Sequence, residues 1–196
     1  MALVDPTHAE RQAVLSRFPV PPRSLGLVDP VFGLDVSTQR LALGIVGPGP
    51  RVLWHYTPLA PGPPGAVRLA GAHADALAWL GAKVTQHRPV YVVVEQPFAR
   101  GHHVHPELHY AVGVVLAALG QVMHVGGIVD LMGPPAWKRR ALGDGHGAAT
   151  KAQVMAWARE ACDYGGHVQD EADALAIATA GAIHWTRSHA TLYDRR

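Results

Sequence analysis

The sequence predicts an α/β protein built on one mixed sheet that is flanked by helices, and three observations lead to this class. Short apolar runs at 31–37, 40–46 and 52–57 follow one another through polar or Gly/Pro turns, as in an antiparallel meander. Apolar residues then recur at helical spacing over 66–87. The β-branched run at 90–95 is typical of a central parallel strand, so the helix before it is a crossover.

The later part of the chain continues this alternation. It predicts a helix at 106–123, a strand at 124–131, a short basic helix after Pro134, and helices at 150–162 and 170–185. A three-strand meander followed by two parallel strands with helical crossovers is the layout of the ribonuclease H-like fold, here with a five-stranded mixed sheet. At 196 residues, one domain is expected. We assign 29–196 to it and 1–28 to an N-terminal arm, which we expect to be partly flexible.

The composition narrows the setting of the protein. Cys162 is the one cysteine, so an internal disulfide is excluded, and the N-terminus does not resemble a signal peptide. The longest apolar stretch, 111–125, is too short to span a bilayer. We therefore expect a cytoplasmic protein that does not enter a membrane. The formal net charge is +2, and it becomes +6 without four acids discussed next, which suits a phosphate-rich partner.

Four acids are the candidate site. Asp35 interrupts an apolar strand and Glu95 ends another, while Asp170 and Asp173 lie three residues apart at the start of the last helix. A buried carboxylate needs a partner, a proton or a metal. The carboxyl ends of neighbouring parallel strands meet at one edge of a sheet, which brings Asp35 and Glu95 together. Residues three apart share a helix face, whereas Glu171 is turned away.

Each acid also has a plain structural interpretation. Asp170 can cap a helix with Asp173 in its first turn, and Glu95 can face solvent at the end of a strand. Taken together, however, four oxygen ligands without thiolate or histidine fit Mg²⁺, or Mn²⁺, better than zinc. Two such ions held about 4 Å apart can hydrolyse a phosphodiester, so the acids predict a metal-dependent nuclease.

Four motifs in succession resemble the RuvC-type Holliday junction resolvases. They are GLDVST, VVVEQPF, PPAWKRRALGDGHGAATKAQV and DEADALAIA, and they span about 31–185. The resemblance implies that the catalytic and metal-binding residues are Asp35, Glu95, Asp170 and Asp173. It also implies a homodimer that cuts a four-way DNA junction with two symmetric nicks. We expect the apolar helix at 106–123 to form the dimer interface, unless another element of the chain covers it.

The resemblance also implies contacts with DNA. Phe98 matches an aromatic residue that lies against bases at the opened junction centre, and Arg100 is in the same loop. Lys138 and Lys151 match two basic residues near the cleaved strand, and Arg139 and Arg140 extend the basic patch. The alternatives are core packing for Phe98 and a solvated basic surface for the lysines.

Some features depart from the bacterial pattern of this family. Val-Ser-Thr follows Asp35 where bacterial members have a turn like Pro-Gly-Ser, and Pro97 and the N-terminal arm are unusual. These features resemble the phage branch, which implies action in a bacterial host cytoplasm and makes dependence on the RuvA and RuvB proteins doubtful. The histidines at 102–109 are interpreted as surface or phosphate-side residues rather than a zinc site.

Other functions stay open at this point. One is a nuclease of the same fold that acts on flaps, forks or RNA–DNA hybrids. Another is a module that binds junctions without cutting them, and a weaker one is an ATP-binding relative.

Overall fold

The computed structural model describes residues 25–27, 29–47, 52–58, 66–97, 106–123 and 127–193. The secondary-structure elements, in chain order, are β1 (Val31–Val36), β2 (Arg40–Val46), β3 (Val52–Pro58), α1 (Ala66–His87), β4 (Tyr91–Glu95), α2 (Pro106–Val122), β5 (Ile128–Met132), α3 (Pro134–Leu142), α4 (Lys151–Cys162) and α5 (Gln169–Tyr193). Most bounds agree with the sequence-based ones to within two residues. None of the helices within these ranges is both long and apolar enough to cross a membrane.

The strands of the described residues form one sheet in the order β3-β2-β1-β4-β5. β1, β2 and β3 pair antiparallel as a meander. β4 then pairs parallel with β1, and β5 pairs parallel with β4. The predicted mixed α/β sheet is confirmed, and β1 lies at its centre with an antiparallel neighbour on one side and a parallel one on the other.

Helices cover both faces of the sheet. Phe32, Leu34 and Val36 of β1 pack in one apolar layer with residues of α1 and α2. The opposite layer contains residues of α3, α4 and α5, together with Val31. Because strand side chains alternate between faces, Asp35 lies on the same face as Val31, under α5.

The predicted end of α5 was too early. The helix continues from Gln169 to Tyr193, beyond the expected end near Trp185. At the other end of the chain, Leu25 and Leu27 of the predicted N-terminal arm pack against the core that α5 shares. The expected helix at 8–17 lies outside the described residues.

The helix α2 is apolar nearly all round, and its two faces differ in burial. Ala111, Val115 and Leu119 lie on the face buried against the sheet and α1. The opposite side leaves Ala117 exposed, and Tyr110 is 59% exposed. The described chain therefore covers one face of α2, as the first interpretation expected. The other face stays open and is still available for the expected dimer interface.

Candidate active site

Two glycines allow α5 to lie directly on the sheet. Gly33 of β1 pairs with Gly44 of β2. A Cβ atom added at Gly33 would lie 2.6 Å from the Cα of Ala178, and one added at Gly44 would lie 2.6 Å from the carbonyl carbon of Ala174. Such contacts are too short for any side chain, so the backbone of α5 reaches the sheet only because these positions lack a Cβ. The start of α5, with its acids, is thereby held over the carboxyl end of β1.

Asp35 and Glu95 form the centre of the acid cluster. Each directly follows the last paired residues of the parallel β1–β4 ladder, Leu34 and Val94. Burial raises the pKa of Asp35 well above its usual range, and the charges of Glu95, Asp173 and Asp170 raise it further. The Asp35 carboxyl donates a hydrogen bond to the Glu95 carboxylate, which also holds the proton on Asp35. The structure thus brings the four predicted acids together around Asp35.

Glu95 is held from the side of α3. The indole N–H of Trp137, which is 2% exposed, donates to Glu95 Oε1 at 3.4 Å. Burial raises the pKa of Glu95, while the hydrogen bonds from Asp35 and Trp137 and the charges of Lys138 and Lys151 oppose that rise. These contacts favour the charged form of Glu95 and so offset part of the cost of its burial.

Asp173 approaches the same point from α5. Gln169, one turn earlier, donates its amide N–H to Asp173 Oδ1 at 2.9 Å. Burial raises the pKa of Asp173 to about 6, and the charge of Glu95 adds to this rise. The hydrogen bond from Gln169 and the charges of Lys151 and Lys138 oppose it.

The two remaining acids at the start of α5 turn to different partners. Asp170 Oδ2 lies 3.8 Å from a guanidinium nitrogen of Arg40, the first residue of β2. Glu171 instead accepts a hydrogen bond of 2.6 Å from the buried hydroxyl of Tyr164. The structure therefore turns Glu171 away from Asp35, as the helix spacing predicted, and leaves Asp170 beside the other acids.

The positive charges of both predicted lysines, Lys138 and Lys151, favour the ionised forms of Glu95 and Asp173. The Lys138 ammonium donates to the carbonyl of Ala149 at 2.8 Å and lies 5.3 Å from the centre of the Trp137 ring. Lys151 begins α4 directly after Thr150, whose side chain accepts a hydrogen bond from the backbone N–H of Gln153 in a capping box. Two positive charges consequently border Glu95 and Asp173 on the side of α3 and α4.

The chain is similar to solved structures of RuvC, one of them in complex with a Holliday junction substrate. The chain is 29% identical to Thermus thermophilus RuvC, with a TM-score of 0.62, over 81% of this chain and 96% of that one. The chain has the RuvC fold. A second structure, of T. thermophilus RuvC in complex with Holliday junction substrate, is 26% identical with a TM-score of 0.61 and the same coverage. No protein-family model and no curated protein matches the chain.

These likenesses confirm the resemblance to RuvC-type resolvases that the motifs indicated. The assignment to a phage branch stays a prediction. So do the roles of the individual site residues, of which the structure gives the positions.

The other predicted DNA-binding residues lie farther from one another. Arg139 is exposed, and its side chain lies against Gly147. Arg140 donates to the sulfur of Met132 at 3.7 Å, and its charge acts on Tyr91, at the end of β4 opposite Glu95. Met132 is the residue of β5 that pairs with Glu95, so Arg140 contacts the sheet beside the strand end that carries Glu95. Phe98 and Arg100 lie outside the described residues.

The four carboxylates suit a hard divalent cation chemically, because all their ligand atoms are oxygens. Their oxygens are nevertheless engaged by Trp137, Gln169, Arg40 and one another. Within the described ranges, no three Asp, Glu, His or Cys side chains already form a set that could hold a metal ion. The donor types fit the predicted ions, and the metal site stays a prediction. Of the histidines at 102–109, His109 is exposed on α2 and 102–105 lie outside the described residues.

Four residues that contact the acids were not found from the sequence, and one of them is Gln169, which donates to Asp173. The other three are Arg40, which contacts Asp170, Trp137, which contacts Glu95, and Tyr164, which contacts Glu171. Trp137 precedes Lys138 in one of the four RuvC-like motifs, and this position was a sequence signal for its place at the site. Arg40 and Tyr164 are in no motif, and only the folded chain brings them to the acids.

Proposed function

We propose that this protein is a metal-dependent endonuclease that resolves four-way DNA junctions by paired, symmetric phosphodiester hydrolysis. The observation that carries the proposal is the mutual interaction of Asp35, Glu95, Asp170 and Asp173 at the carboxyl ends of β1 and β4. Such a cluster is costly to maintain, because like charges in a partly buried site repel one another. A structural role for the acids would favour separating them.

The solved relatives agree with this reaction class. They are Holliday junction resolvases, and one was solved with its junction substrate. This similarity supports a nuclease that acts on branched DNA, and the metal, the symmetry of the cuts and the substrate range are our proposals.

Asp35, Glu95, Asp170 and Asp173 would hold Mg²⁺ or Mn²⁺, with two ions per site. When bound, such ions supply an activated water and stabilise the leaving oxygen of the phosphodiester. The chain's own residues contribute position and charge. Trp137 orients Glu95, and Gln169 orients Asp173, so that both carboxylates face Asp35.

The two lysines would bring the DNA backbone to the acids. Lys138 is fixed between the Ala149 carbonyl and the Trp137 ring, so its charge stays beside Glu95. Lys151 stands in the first turn of α4, where exposed backbone N–H groups also favour a phosphate. These charges offset the repulsion between the acids and an approaching phosphodiester.

A junction needs two matched cuts, so we infer a two-fold dimer with one site per chain. The exposed face of α2 is the candidate interface, because Tyr110 and Ala117 leave it partly apolar. We further propose action in the cytoplasm, in recombination, repair or phage DNA processing, without dependence on RuvA or RuvB.

The test is cleavage of a labelled synthetic four-way junction with Mg²⁺, beside a linear duplex, a fork and an RNA–DNA hybrid. The wild-type protein is compared with Asp35→Asn and with the control Asp75→Asn, an exposed acid on α1 at the opposite face of the sheet. We expect symmetric nicks in the junction for wild type and the control, and none for Asp35→Asn, which should still bind.

Other results would favour the other functions. Equal cutting of forks or hybrids favours a broader nuclease of the same fold. Binding of the junction without cutting under Mg²⁺ and Mn²⁺ would refute the nuclease and favour a junction-binding module.

A further inference from the structure

Arg40 stands on the opposite side of the acid cluster from the two lysines. Side chains alternate along a strand, so Arg40, Ala42 and Gly44 lie on the face of β2 that α5 covers. Ala42 pairs with Asp35, and Arg40 comes two residues before it, about 7 Å along the strand. β2 and β4 flank β1 on its two sides. The acids therefore have Arg40 at one border and Lys138 with Lys151 at the other.

The turn that follows Asp35 fixes the backbone of Arg40. The Ser37 N–H donates to the Arg40 carbonyl at 2.9 Å, and the Ser37 hydroxyl donates to the same oxygen at 3.3 Å. The Gln39 N–H in turn donates to the Ser37 hydroxyl at 3.3 Å. These bonds belong to the Val-Ser-Thr turn by which the sequence departs from the bacterial pattern. They hold Arg40 beside the carboxyl end of β1.

The side chain of Arg40 is turned toward the acids and is open to solvent. A guanidinium nitrogen lies 3.8 Å from Asp170 Oδ2, while 54% of the Arg40 side chain and 24% of that of Asp170 are exposed. An ion pair this exposed adds little to stability. A guanidinium also has several donors in a planar fork, so it can contact a carboxylate and still bind a phosphate oxygen.

We propose that Arg40 is a DNA-phosphate contact of the active site, on the border of the acid cluster opposite the two lysines. The cleaved strand then passes over the acids with a cation on each side, which holds the scissile phosphate above Asp35. This inference rests on the proposed function, because it assigns a role in binding the same branched DNA.

The proposal predicts a change in the salt dependence of DNA binding. Each phosphate contact adds about 1 to the slope of the logarithm of the binding constant against the logarithm of the salt concentration. We therefore expect Arg40→Gln to lower this slope by about 1 on a four-way junction, and Arg40→Lys to retain it. The binding is measured in EDTA, where no cleavage takes place, by fluorescence anisotropy between 50 and 300 mM KCl, roughly the range over which such slopes are resolved.

Arg187→Gln is the matched control. Arg187 is an exposed cation on the same helix as Asp170 and lies 17 residues after it, about 25 Å along the helix axis. Its loss should leave the slope unchanged. A second measurement tests whether Arg40 only positions Asp170. It is the binding of Mn²⁺ without DNA, monitored by electron paramagnetic resonance. If Arg40 served only to hold Asp170 in place, Arg40→Gln would weaken Mn²⁺ binding and leave the salt slope at the wild-type value.

The outcomes separate this inference from the proposed function. A wild-type slope for Arg40→Gln overturns the role of Arg40, whether or not the wild-type protein cuts junctions. A lowered slope for Arg40→Gln alone supports the role, even if cleavage in Mg²⁺ fails and the nuclease proposal falls. A wild-type protein that does not bind the junction would overturn both.

Discussion

Gly33 and Gly44 face each other across β1 and β2, and the backbone of α5 lies against both. This contact determines how closely the helix with Asp170 and Asp173 approaches the strand with Asp35. Neither glycine needs an unusual backbone conformation here. What each position requires is the absence of a Cβ, because the atoms that it would meet are backbone atoms, which cannot rotate away.

Gly33→Ala should destabilise the protein by about 1 to 3 kcal/mol, the usual cost of overpacking a core. The methyl group would push α5 away from the sheet near Ala178. Urea unfolding followed by circular dichroism measures the change. The control is Gly47→Ala, where an added Cβ meets nothing within 4 Å. Equal stability of the two variants would contradict the close contact of α5 with β1.

Stability should fall as the pH rises through about 6 in the presence of EDTA. The pKa of Asp173 in the folded protein is about 6, above that of the unfolded chain, and the pKa of Asp35 is also raised. The folded state therefore binds these protons more tightly, so the stabilisation is complete below the unfolded pKa and is lost above the folded one. Thermal unfolding between pH 5 and pH 8 measures this.

Mg²⁺ should reverse this loss, because a cation compensates the ionised carboxylates. Asp173→Asn should reduce the fall of Tm with pH in EDTA. If Tm of the wild-type protein instead rose with pH in EDTA, the acids would not be crowded in the folded state.

Tyr164→Phe should lower stability by about 1 to 3 kcal/mol, because buried polar groups lose their partner. The Tyr164 hydroxyl bonds Glu171 and also accepts from the backbone N–H of Val168, just before α5. We also expect a loss of cleavage, since the same turn carries Asp170 and Asp173. Tyr91→Phe is the control for cleavage, because it removes a hydroxyl that bonds Asp130 at the end of β4 opposite Glu95. Indistinguishable behaviour of the two variants would count against this role of Tyr164.

Trp137→Phe should lower kcat for junction cleavage more than it weakens junction binding. The change removes the N–H that orients Glu95 and retains a ring beneath Lys138. Trp157→Phe is a matched control, because Trp157 is also buried and its indole nitrogen has no hydrogen-bond partner among the described residues. Single-turnover cleavage at saturating protein measures the cleavage step separately from junction binding. Loss of binding alone would argue that Trp137 does not position Glu95.

Ala117→Glu should shift the proposed dimer toward monomer. Ala117 is exposed on α2, and a charge there would be buried in the interface without a partner. Sedimentation velocity at micromolar concentration reports the change. Ala156→Glu, at an exposed position of α4 on the other face of the sheet, should have no effect. A wild-type protein that sediments as a monomer would exclude the dimer.

Local pattern predicted most of the fold. The strand bounds of β2 and the bounds of α1 agree with the structure, because period-2 and period-3.6 patterns are local properties of the chain. The predicted end of α5, near Trp185, was too early. Trp185 stacks on Tyr91, and the helix continues past it to Tyr193. That stacking depends on a residue far away in the sequence.

The sequence by itself determined the order of strands and helices. It also singled out the four acids as candidate site residues, since each of them interrupts, ends or begins a local apolar pattern. The tertiary structure decided which groups contact those acids. Arg40 reaches Asp170, Trp137 reaches Glu95, and Tyr164 draws Glu171 aside. The physical reason is that these contacts depend on how α3 and α5 lie on the sheet, which follows from glycines and small side chains across several elements. No single stretch of sequence contains that information.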